Sequence, residues 1–218
     1  MRGGHGFDRL AGCYRVLEYL AFGRDLERAR FAHLHLLRDC RAILVLGEGD
    51  GRCLERLVGL APRARIDCID ASGAMLARAG ARIAGTEAAG RVAFRQLVLP
   101  SEDLPAGPFD AAVTLFFLDC FRADEAVSVM SAVEDRLLPG ALWLWSDFAL
   151  PAAGPARWRA RLWLAMLYGF FRATTGLSAH RLPPMEAFFA ARSYACLATA
   201  GFQSGLVRSI AWRHAKTR

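Results

Sequence analysis

The sequence predicts a doubly wound α/β fold, and three observations lead to this prediction. Short apolar segments alternate with segments of helical periodicity through residues 41–150. These segments are apolar along most of their length, as expected of parallel strands that helices cover on both faces. A glycine-rich turn follows the first of them, at residues 47–51. With the right-handed crossover rule, this pattern predicts a parallel sheet wound in two directions from its centre.

The predicted elements follow one another with short connections. Residues 8–39 have apolar residues at intervals of three and four, which predicts two helices separated by Gly23. Ser72 precedes another helical segment and is a predicted N-cap. The five core strands are predicted at 42–47, 64–70, 91–99, 109–118 and 141–148, and the helices between them at 52–60, 71–84 and 123–140. An aromatic helix at 155–177, a helix at about 184–200 and two short strands within 201–215 complete the prediction.

Composition narrows the classes of function. Hydrophobic residues make up 54% of the chain, enough for a large core, and no apolar run reaches the roughly 18 residues of a spanning helix. No signal-peptide pattern is visible, so a cytoplasmic location is expected. The six cysteines lack metal-binding spacing, so no metal site is predicted. The net charge of +7 comes from scattered arginines, which favours solvated helix faces over a nucleic-acid footprint.

The stretch "LVLGEGDGR", residues 44–52, indicates which nucleotide the fold binds. Its glycines have the spacing GxGxG, whereas the dinucleotide fingerprint is GxGxxG. Glu48 and Asp50 would repel a pyrophosphate and attract a cation, although Asp50 could simply serve the turn. Asp70 ends the second strand, where an acid accepts hydrogen bonds from ribose hydroxyls. An adenosine-like ribose beside a cationic group fits S-adenosylmethionine (SAM), with its sulfonium and amino-acid tail.

These residues resemble the class I SAM-dependent methyltransferases. "ILVLGEGDGRCLERL" and "IDCIDASGAML" look like the first two motifs of that family, and "LPAGPFDAAVTLFFLD" and "RLLPGALWLWSDF" continue the likeness. Within the superfamily the chain looks closest to the small-molecule, quinone-type branch. The resemblance implies a seven-stranded sheet of order 3-2-1-4-5-7-6 with an antiparallel last strand. It also implies one domain over 1–218, divided into an N-terminal helical cap (1–40), a cofactor-binding core (41–150), a helical lid or insertion (151–183) and a final helix with a strand hairpin (184–218).

The resemblance also implies roles for individual residues. The first loop would line the methionine part of the cofactor, and Asp70 would hold the ribose. An acid or amide after strand three often binds the adenine in this family, but Val98 stands at that place. The backbone of 97–99, Glu102 or Asp103 would then have to replace it. The implied cofactor-binding residues are Tyr14, Gly47, Glu48, Gly49, Asp70, Ala71, Ser72, Met75, Val98, Phe116 and Phe117.

Transfer of a methyl group needs orientation and, for some acceptors, a base. The candidates for catalysis are Asp119 after strand four, Asp147 at the end of strand five, Tyr168 and the loop residue His180. Each has a structural alternative, since Asp119 could cap a helix and Tyr168 could belong to the core. The sequence therefore predicts methyl transfer to a small hydrophobic or aromatic acceptor, with nucleic acid a disfavoured substrate.

Alternatives remain open at this stage. They are a SAM-binding protein without catalysis, an RNA methyltransferase and a dinucleotide oxidoreductase, the last disfavoured by the acidic loop. The aromatic helix 155–177 is interpreted first as a lid or pocket wall, second as packing on the sheet, and third as a peripheral membrane contact. The oligomeric state is not predicted.

Overall fold

A computed structural model of the chain describes residues 23–151, 153–175 and 181–215. Its seven strands are β1 (Ala42–Leu46), β2 (Arg65–Asp70), β3 (Val92–Gln96), β4 (Phe109–Leu115), β5 (Leu137–Phe148), β6 (Tyr194–Phe202) and β7 (Val207–His214). They form one sheet of order β3-β2-β1-β4-β5-β7-β6, in which β7 runs antiparallel to β5 and β6. The predicted strand order and antiparallel last strand are confirmed.

Helices cover both faces of this sheet because its central strands are apolar on both sides. The described helices are α1 (Asp25–Phe31), α2 (Arg52–Leu60), α3 (Gly73–Ile83), α4 (Ala123–Glu134), α5 (Gly154–Thr175) and α6 (Met185–Ala191). Along β1, Ile43 and Val45 pack with α2 and α3, whereas Leu44 and Leu46 pack with α4 and α6. All four side chains are buried, as expected of a strand in the middle of a doubly covered sheet.

A third apolar cluster joins α1 and α5 at the end of β5. Ala29 of α1, Phe148 of β5 and Ala160 and Leu164 of α5 belong to this cluster and are buried. The carboxyl ends of parallel strands form the ligand edge of such a sheet. Both helices therefore pack beside that edge, and the aromatic helix after strand five contacts the protein core through one of its faces.

The end of α4 corrects one predicted boundary. The helix predicted over 123–140 ends at Glu134, and β5 begins at Leu137, before Pro139. Leu137 pairs with Phe109 of β4, and the register then shifts so that Leu142 pairs with Ala111. The irregularity accommodates Pro139 and Gly140 within the strand, since a proline lacks the N–H that a regular ladder requires. The sequence showed the proline but not the pairing that continues around it.

The C-terminal region corrects a second prediction. The helix predicted over about 184–200 is only α6, and residues 194–202 form β6, which pairs with β7 along nearly its whole length. Its alanines favour a helix locally, but hydrogen bonding to a neighbouring strand overrides that preference. One strand, β7, replaces the two short strands predicted over 201–215. The first predicted N-terminal helix lies outside the described residues.

Candidate functional site

The three glycines after β1 all adopt positive φ, at +69° for Gly47, +70° for Gly49 and +87° for Gly51. A Cβ at Gly47 would lie 2.3 Å from Cδ2 of Phe117, and a Cβ at Gly51 would lie 2.4 Å from Cα of Ala79. A Cβ at Gly49 would meet nothing within 4 Å. Two of the glycines are therefore required by close packing, and the middle one faces open space at the ligand edge.

Asp70 joins this loop to the turn that follows β2. Its Oδ2 accepts a hydrogen bond from the Gly49 N–H at 3.1 Å, and its Oδ1 accepts one from the Ser72 N–H at 2.9 Å. The carboxylate is partly exposed at the strand end. Ser72 is buried, and its hydroxyl accepts the Met75 N–H at 3.1 Å, which confirms the predicted N-cap of α3. Ala71 and Met75 lie beside Asp70 and are also partly exposed.

The two acids of the loop have different environments. Asp50 makes salt bridges of 3.0 Å with both Arg52 and Arg82, and Arg82 also donates to the Asp50 carbonyl at 2.6 Å. Burial opposes the charged form, but the two guanidinium groups hold the pKa of Asp50 below its ordinary value. Its charge is therefore balanced within the protein. This favours the interpretation that Asp50 serves the turn and ties the loop to α3.

Glu48 stabilises the start of α2. Its Oε1 accepts the Leu54 N–H at 2.8 Å, while the N-cap position itself is Gly51, which has no side chain to cap the helix. Burial raises the pKa of Glu48 to about 7, although the helix N–H groups and the charge of Arg30 favour the ionised form. Glu48 therefore has a structural role that the sequence did not predict. With a pKa of about 7, its carboxyl group can change protonation state near neutral pH.

A small, open recess lies beside Glu48 at the edge of the sheet. The guanidinium of Arg30, from α1, lies 4.8 Å from the centre of the Phe116 ring. The recess is lined by Arg30, Val45, Leu46, Gly47, Glu48, Cys53, Val113 and Leu115. It presents one acidic and one basic side chain. Arg30 does not stand out in the sequence because it is one of many arginines, and the packing of α1 brings it to this edge.

The predicted catalytic acids Asp119 and Asp147 are brought together. Asp147 is only 1% exposed, and its carboxylate accepts hydrogen bonds from the Phe117 N–H at 3.1 Å and from Trp145 Nε1. The two carboxyl groups also lie within hydrogen-bonding reach of each other. Burial raises the pKa of Asp119 to about 6. Burial, together with the charge of Asp119, raises the pKa of Asp147 well above its ordinary value. Two adjacent buried carboxyl groups share one proton because both cannot be ionised cheaply.

Tyr168 is also part of this group. Its hydroxyl donates a hydrogen bond to the backbone carbonyl of Asp119 at 3.3 Å. Burial raises the pKa of Tyr168, with the nearby charge of Asp119 adding to the effect, so the phenol remains protonated at neutral pH. Tyr168 is therefore suited to hold the Asp119 turn or to donate a hydrogen bond, and it is poorly suited to act as a base. His180 lies outside the described residues.

Two phenylalanines connect the carboxyl pair to the glycine loop. Phe116 directly follows β4 and has a φ of +56°, a conformation that is costly for a non-glycine residue and is often found at functional sites. Its ring packs edge-on against Phe148 at 5.4 Å. Phe117 packs against Phe121 at 5.0 Å and occupies the space that a side chain at Gly47 would need. The predicted site residues thus form an apolar wall between the loop and the acids.

Beyond β3, the backbone of Val98 is next to an acid. The Val98 side chain is exposed, and its N–H donates to the carboxylate of Glu102. Of the substitutes considered for the missing adenine-binding residue, Glu102 is therefore the one whose carboxylate lies at this backbone position. Tyr14, the predicted cap of the site, lies outside the described residues.

Comparison with known proteins agrees with this geometry. Residues 44–143, from β1 into β5, match the family model described as Methyltransferase domain. The chain carries a class I, Rossmann-like methyltransferase domain. The prediction of that family from the motifs at residues 43–57 and 66–76 is confirmed. No curated protein matches the sequence.

Solved methyltransferases share the fold. NodS, an N-methyltransferase from Bradyrhizobium japonicum WM9 in complex with S-adenosyl-l-homocysteine (SAH), has a TM-score of 0.68 at 15% identity, covering 99% of this chain and 100% of NodS. The mitomycin 7-O-methyltransferase MmcR has a TM-score of 0.67 at 16% identity, covering 96% of this chain and 60% of MmcR. An O-methyltransferase family 2 protein from Planctomyces limnophilus DSM 3776, in complex with apigenin, has a TM-score of 0.60 at 17% identity. The match covers 79% of this chain and 50% of that protein. The chain thus spans between a half and three fifths of the last two.

The methyltransferase domain implies S-adenosylmethionine as its cofactor. The residues present fit this group. Asp70 offers a partly exposed carboxylate at the end of β2, and Gly49 leaves open space beside it. A small recess with opposite charges adjoins them. No group of acids, histidines and cysteines with the arrangement of a metal site occurs within the described part of the chain.

Proposed function

We propose that the protein transfers a methyl group from S-adenosylmethionine to a small hydrophobic or aromatic acceptor. The observation that carries this proposal is the position of the Asp119–Asp147 pair. Phe117 donates its N–H to Asp147 and packs its ring against Gly47 of the cofactor loop. A single residue, Phe117, therefore connects the acids to that loop. An activated methyl donor and a proton acceptor would then meet at one edge of the sheet.

The chain would hold the cofactor mainly through its two loops. Asp70 would accept hydrogen bonds from the ribose hydroxyls while it keeps its bonds to Gly49 and Ser72. The exposed backbone beside Val98, with Glu102, would border the adenine. When bound, the cofactor supplies a methyl group on a positively charged sulfur, which leaves without further activation. The remaining contribution of the protein is orientation, worth about 7–11 kcal/mol in well-aligned systems.

Arg30 and Glu48 would bind the two ends of the methionine tail. Both line the same recess, and the tail carries a carboxylate and an ammonium group. A guanidinium suits a carboxylate because its N–H groups match the two oxygens. The ammonium group would favour the ionised form of Glu48, whose pKa of about 7 already lies near neutrality. The recess is thus complementary in charge to a zwitterion.

The carboxyl pair would accept the proton of the acceptor. At neutral pH a pair that shares one proton also carries one negative charge, and a carboxyl pKa of about 6 suits a general base. The walls near the pair are aromatic, from Phe116, Phe121, Phe148 and Tyr168. Such walls favour an apolar ring. Two of the structural neighbours are a mitomycin 7-O-methyltransferase and a protein in complex with apigenin. Both compounds contain rings, and this agrees with an aromatic acceptor here.

Calorimetry tests the cofactor directly. We expect SAM and SAH to bind and NAD to give no signal. Asp70→Ala should weaken the binding of SAH by about 1–3 kcal/mol, since a charged hydrogen-bond acceptor is lost. Asp39→Asn, which changes an exposed acid before β1, is the control and should leave the affinity unchanged. Absence of binding by both sulfur ligands would contradict the proposed function itself.

A second comparison tests the role of Arg30. Arg30→Ala should weaken the binding of SAH about 10- to 150-fold, as expected for a lost charge-assisted hydrogen bond. The same substitution should leave the binding of 5′-methylthioadenosine unchanged, because that compound lacks the amino-acid tail. Arg28→Ala is the matched control, since Arg28 is exposed on the same helix and pairs with Asp25. Equal losses for both ligands would mean that Arg30 supports the fold and does not bind the tail.

A further inference from the structure

Helix α5 has two apolar faces, and among the residues that the structure describes only one of these faces is covered. Ala160, Leu164 and Tyr168 follow one another at intervals of four and face the protein. Three other apolar residues follow at the same interval, two positions earlier, and lie on the opposite side because each residue turns the helix by 100°. We call them the outer row: Trp158, Leu162 and Met166, whose exposed fractions are 75%, 56% and 58%. A helix that is apolar on two sides is usually covered on both.

The charge around the outer row has one sign. Between Asp147 and Glu186 the sequence contains five arginines and no aspartate or glutamate. Arg159 and Arg161 are exposed, and the helical turn places them on the two sides of the outer row. A partner that covers the row must therefore accept apolar side chains at its centre and positive charge along both margins.

We propose that the outer row, with Arg159 and Arg161, docks on the surface of an anionic lipid bilayer. Interfacial helices have this pattern, in which tryptophan and leucine enter the boundary with the acyl chains and arginines reach the headgroups. A second copy of the chain fits less well, because a symmetric dimer through this row would oppose two basic surfaces. No helix within the described ranges is long and apolar enough to cross a bilayer.

Docking in this way would also bring the candidate site close to the lipid. The outer row and Tyr168 lie on opposite sides of one helix, and a helix with its side chains is about 10–12 Å thick. Tyr168 contacts the Asp119 turn at 3.3 Å. A hydrophobic acceptor dissolved in the bilayer would then have a short path to the site. The docking proposal does not depend on methyl transfer and can be tested without a cofactor.

The test is sedimentation of the full chain with vesicles of phosphatidylcholine alone and with vesicles that also contain phosphatidylglycerol in equal amount. We expect binding to the anionic vesicles only, decreasing as salt increases. Arg159→Gln with Arg161→Gln should weaken it about 25-fold, that is, about 5-fold for each arginine near the surface. Trp158→Ser with Leu162→Ser should abolish binding to the vesicles, even at low salt, because the proposed docking requires these apolar side chains to enter the bilayer.

The matched control is Arg38→Gln with Arg63→Gln, which removes the same charge from two exposed sites outside α5. This control should lose much less affinity, and an equal loss would overturn the proposal by showing attraction to net charge alone. Binding to poly-glutamate but to no vesicle would assign the row to an acidic protein instead. A dimer that Trp158→Ser dissociates would assign it to a second copy. Circular dichroism of each variant excludes loss of folding as the cause.

Discussion

Asp119→Asn is expected to slow methyl transfer about 10²- to 10⁴-fold, the usual contribution of a general base. The substitution keeps the size of the side chain and a hydrogen bond to Asp147, but it removes the group that would take the proton. Binding of SAH should change little, because the loops proposed to bind the cofactor are held by Asp70 and Glu48 rather than by Asp119. The expected result is therefore a loss in kcat with a nearly unchanged Kd for SAH.

The dependence of kcat/KM on pH tests whether the ionised form of Asp119 is the active one. The pKa of Asp119 is raised by burial to about 6, so the ionised form becomes available as the pH increases through this value. We expect kcat/KM of the wild-type protein to increase up to about pH 6 and then to level off, and this limb should be absent in Asp119→Asn. The measurement is transfer of a labelled methyl group from SAM to a panel of small phenols and quinols. A wild-type profile without this limb would contradict the role of Asp119 as a base.

A measurement of stability needs no acceptor. The pKa of Asp119 is higher in the folded protein than the ordinary value of about 4, so the folded state holds more protons between these values. Its contribution to the free energy of unfolding is complete below about pH 4 and is lost as the pH increases through about 6. Urea unfolding across this range should show that decrease, and Asp119→Asn should reduce it. Asp39→Asn should leave the wild-type profile unchanged.

The sequence was sufficient to place the part of the candidate site that depends on local structure. Gly47, Gly49 and Asp70 follow directly from strands β1 and β2, and parallel strands bring their carboxyl ends to one edge. The N-cap of α3 was predictable for the same reason, since Ser72 bonds to a residue only three positions away. These features depend on short stretches of chain in a fixed topology.

Contacts between distant segments were not predictable in this way. Asp119 and Asp147 were separate candidates, and their pairing depends on the turn at Phe116, which directs the chain from β4 towards the end of β5. Arg30 reaches the recess only because α1 packs beside that edge. Strand β6 has an alanine-rich sequence and depends on β7 for its hydrogen bonds. In each case the deciding contact joins residues far apart in sequence, where periodicity and spacing carry no information.

The roles of the loop acids show a related limit. Their negative charge was the reason to reject a pyrophosphate, and that reasoning led to the confirmed family. The structure nevertheless shows that Asp50 is paired with Arg52 and Arg82, and that Glu48 caps α2. The sequence contains the acids and the arginines but does not indicate which of them meet. The sequence therefore predicts the charge of a loop as a whole better than the role of each charged residue in it.

Gly51→Ala is expected to be the most destabilising substitution in the loop. The φ of +87° costs an alanine about 1–2 kcal/mol, and its Cβ would lie 2.4 Å from Cα of Ala79, a backbone atom of α3 that cannot rotate away. Separating α2 from α3 to relieve this overlap adds the usual cost of overpacking, about 1–3 kcal/mol. We therefore expect a total loss of about 2–5 kcal/mol in the free energy of unfolding, measured in urea.

Gly49→Ala is the matched control for this prediction, because Gly49 has a φ of +70° but open space where a Cβ would be. It should lose only the conformational part, about 1–2 kcal/mol. Its added methyl group would instead occupy the proposed cofactor space, so SAH should bind more weakly in a protein that still folds. The pair thus separates packing from binding within one loop. Equal destabilisation of both variants would show that backbone conformation alone, rather than contact between α2 and α3, requires glycine at position 51.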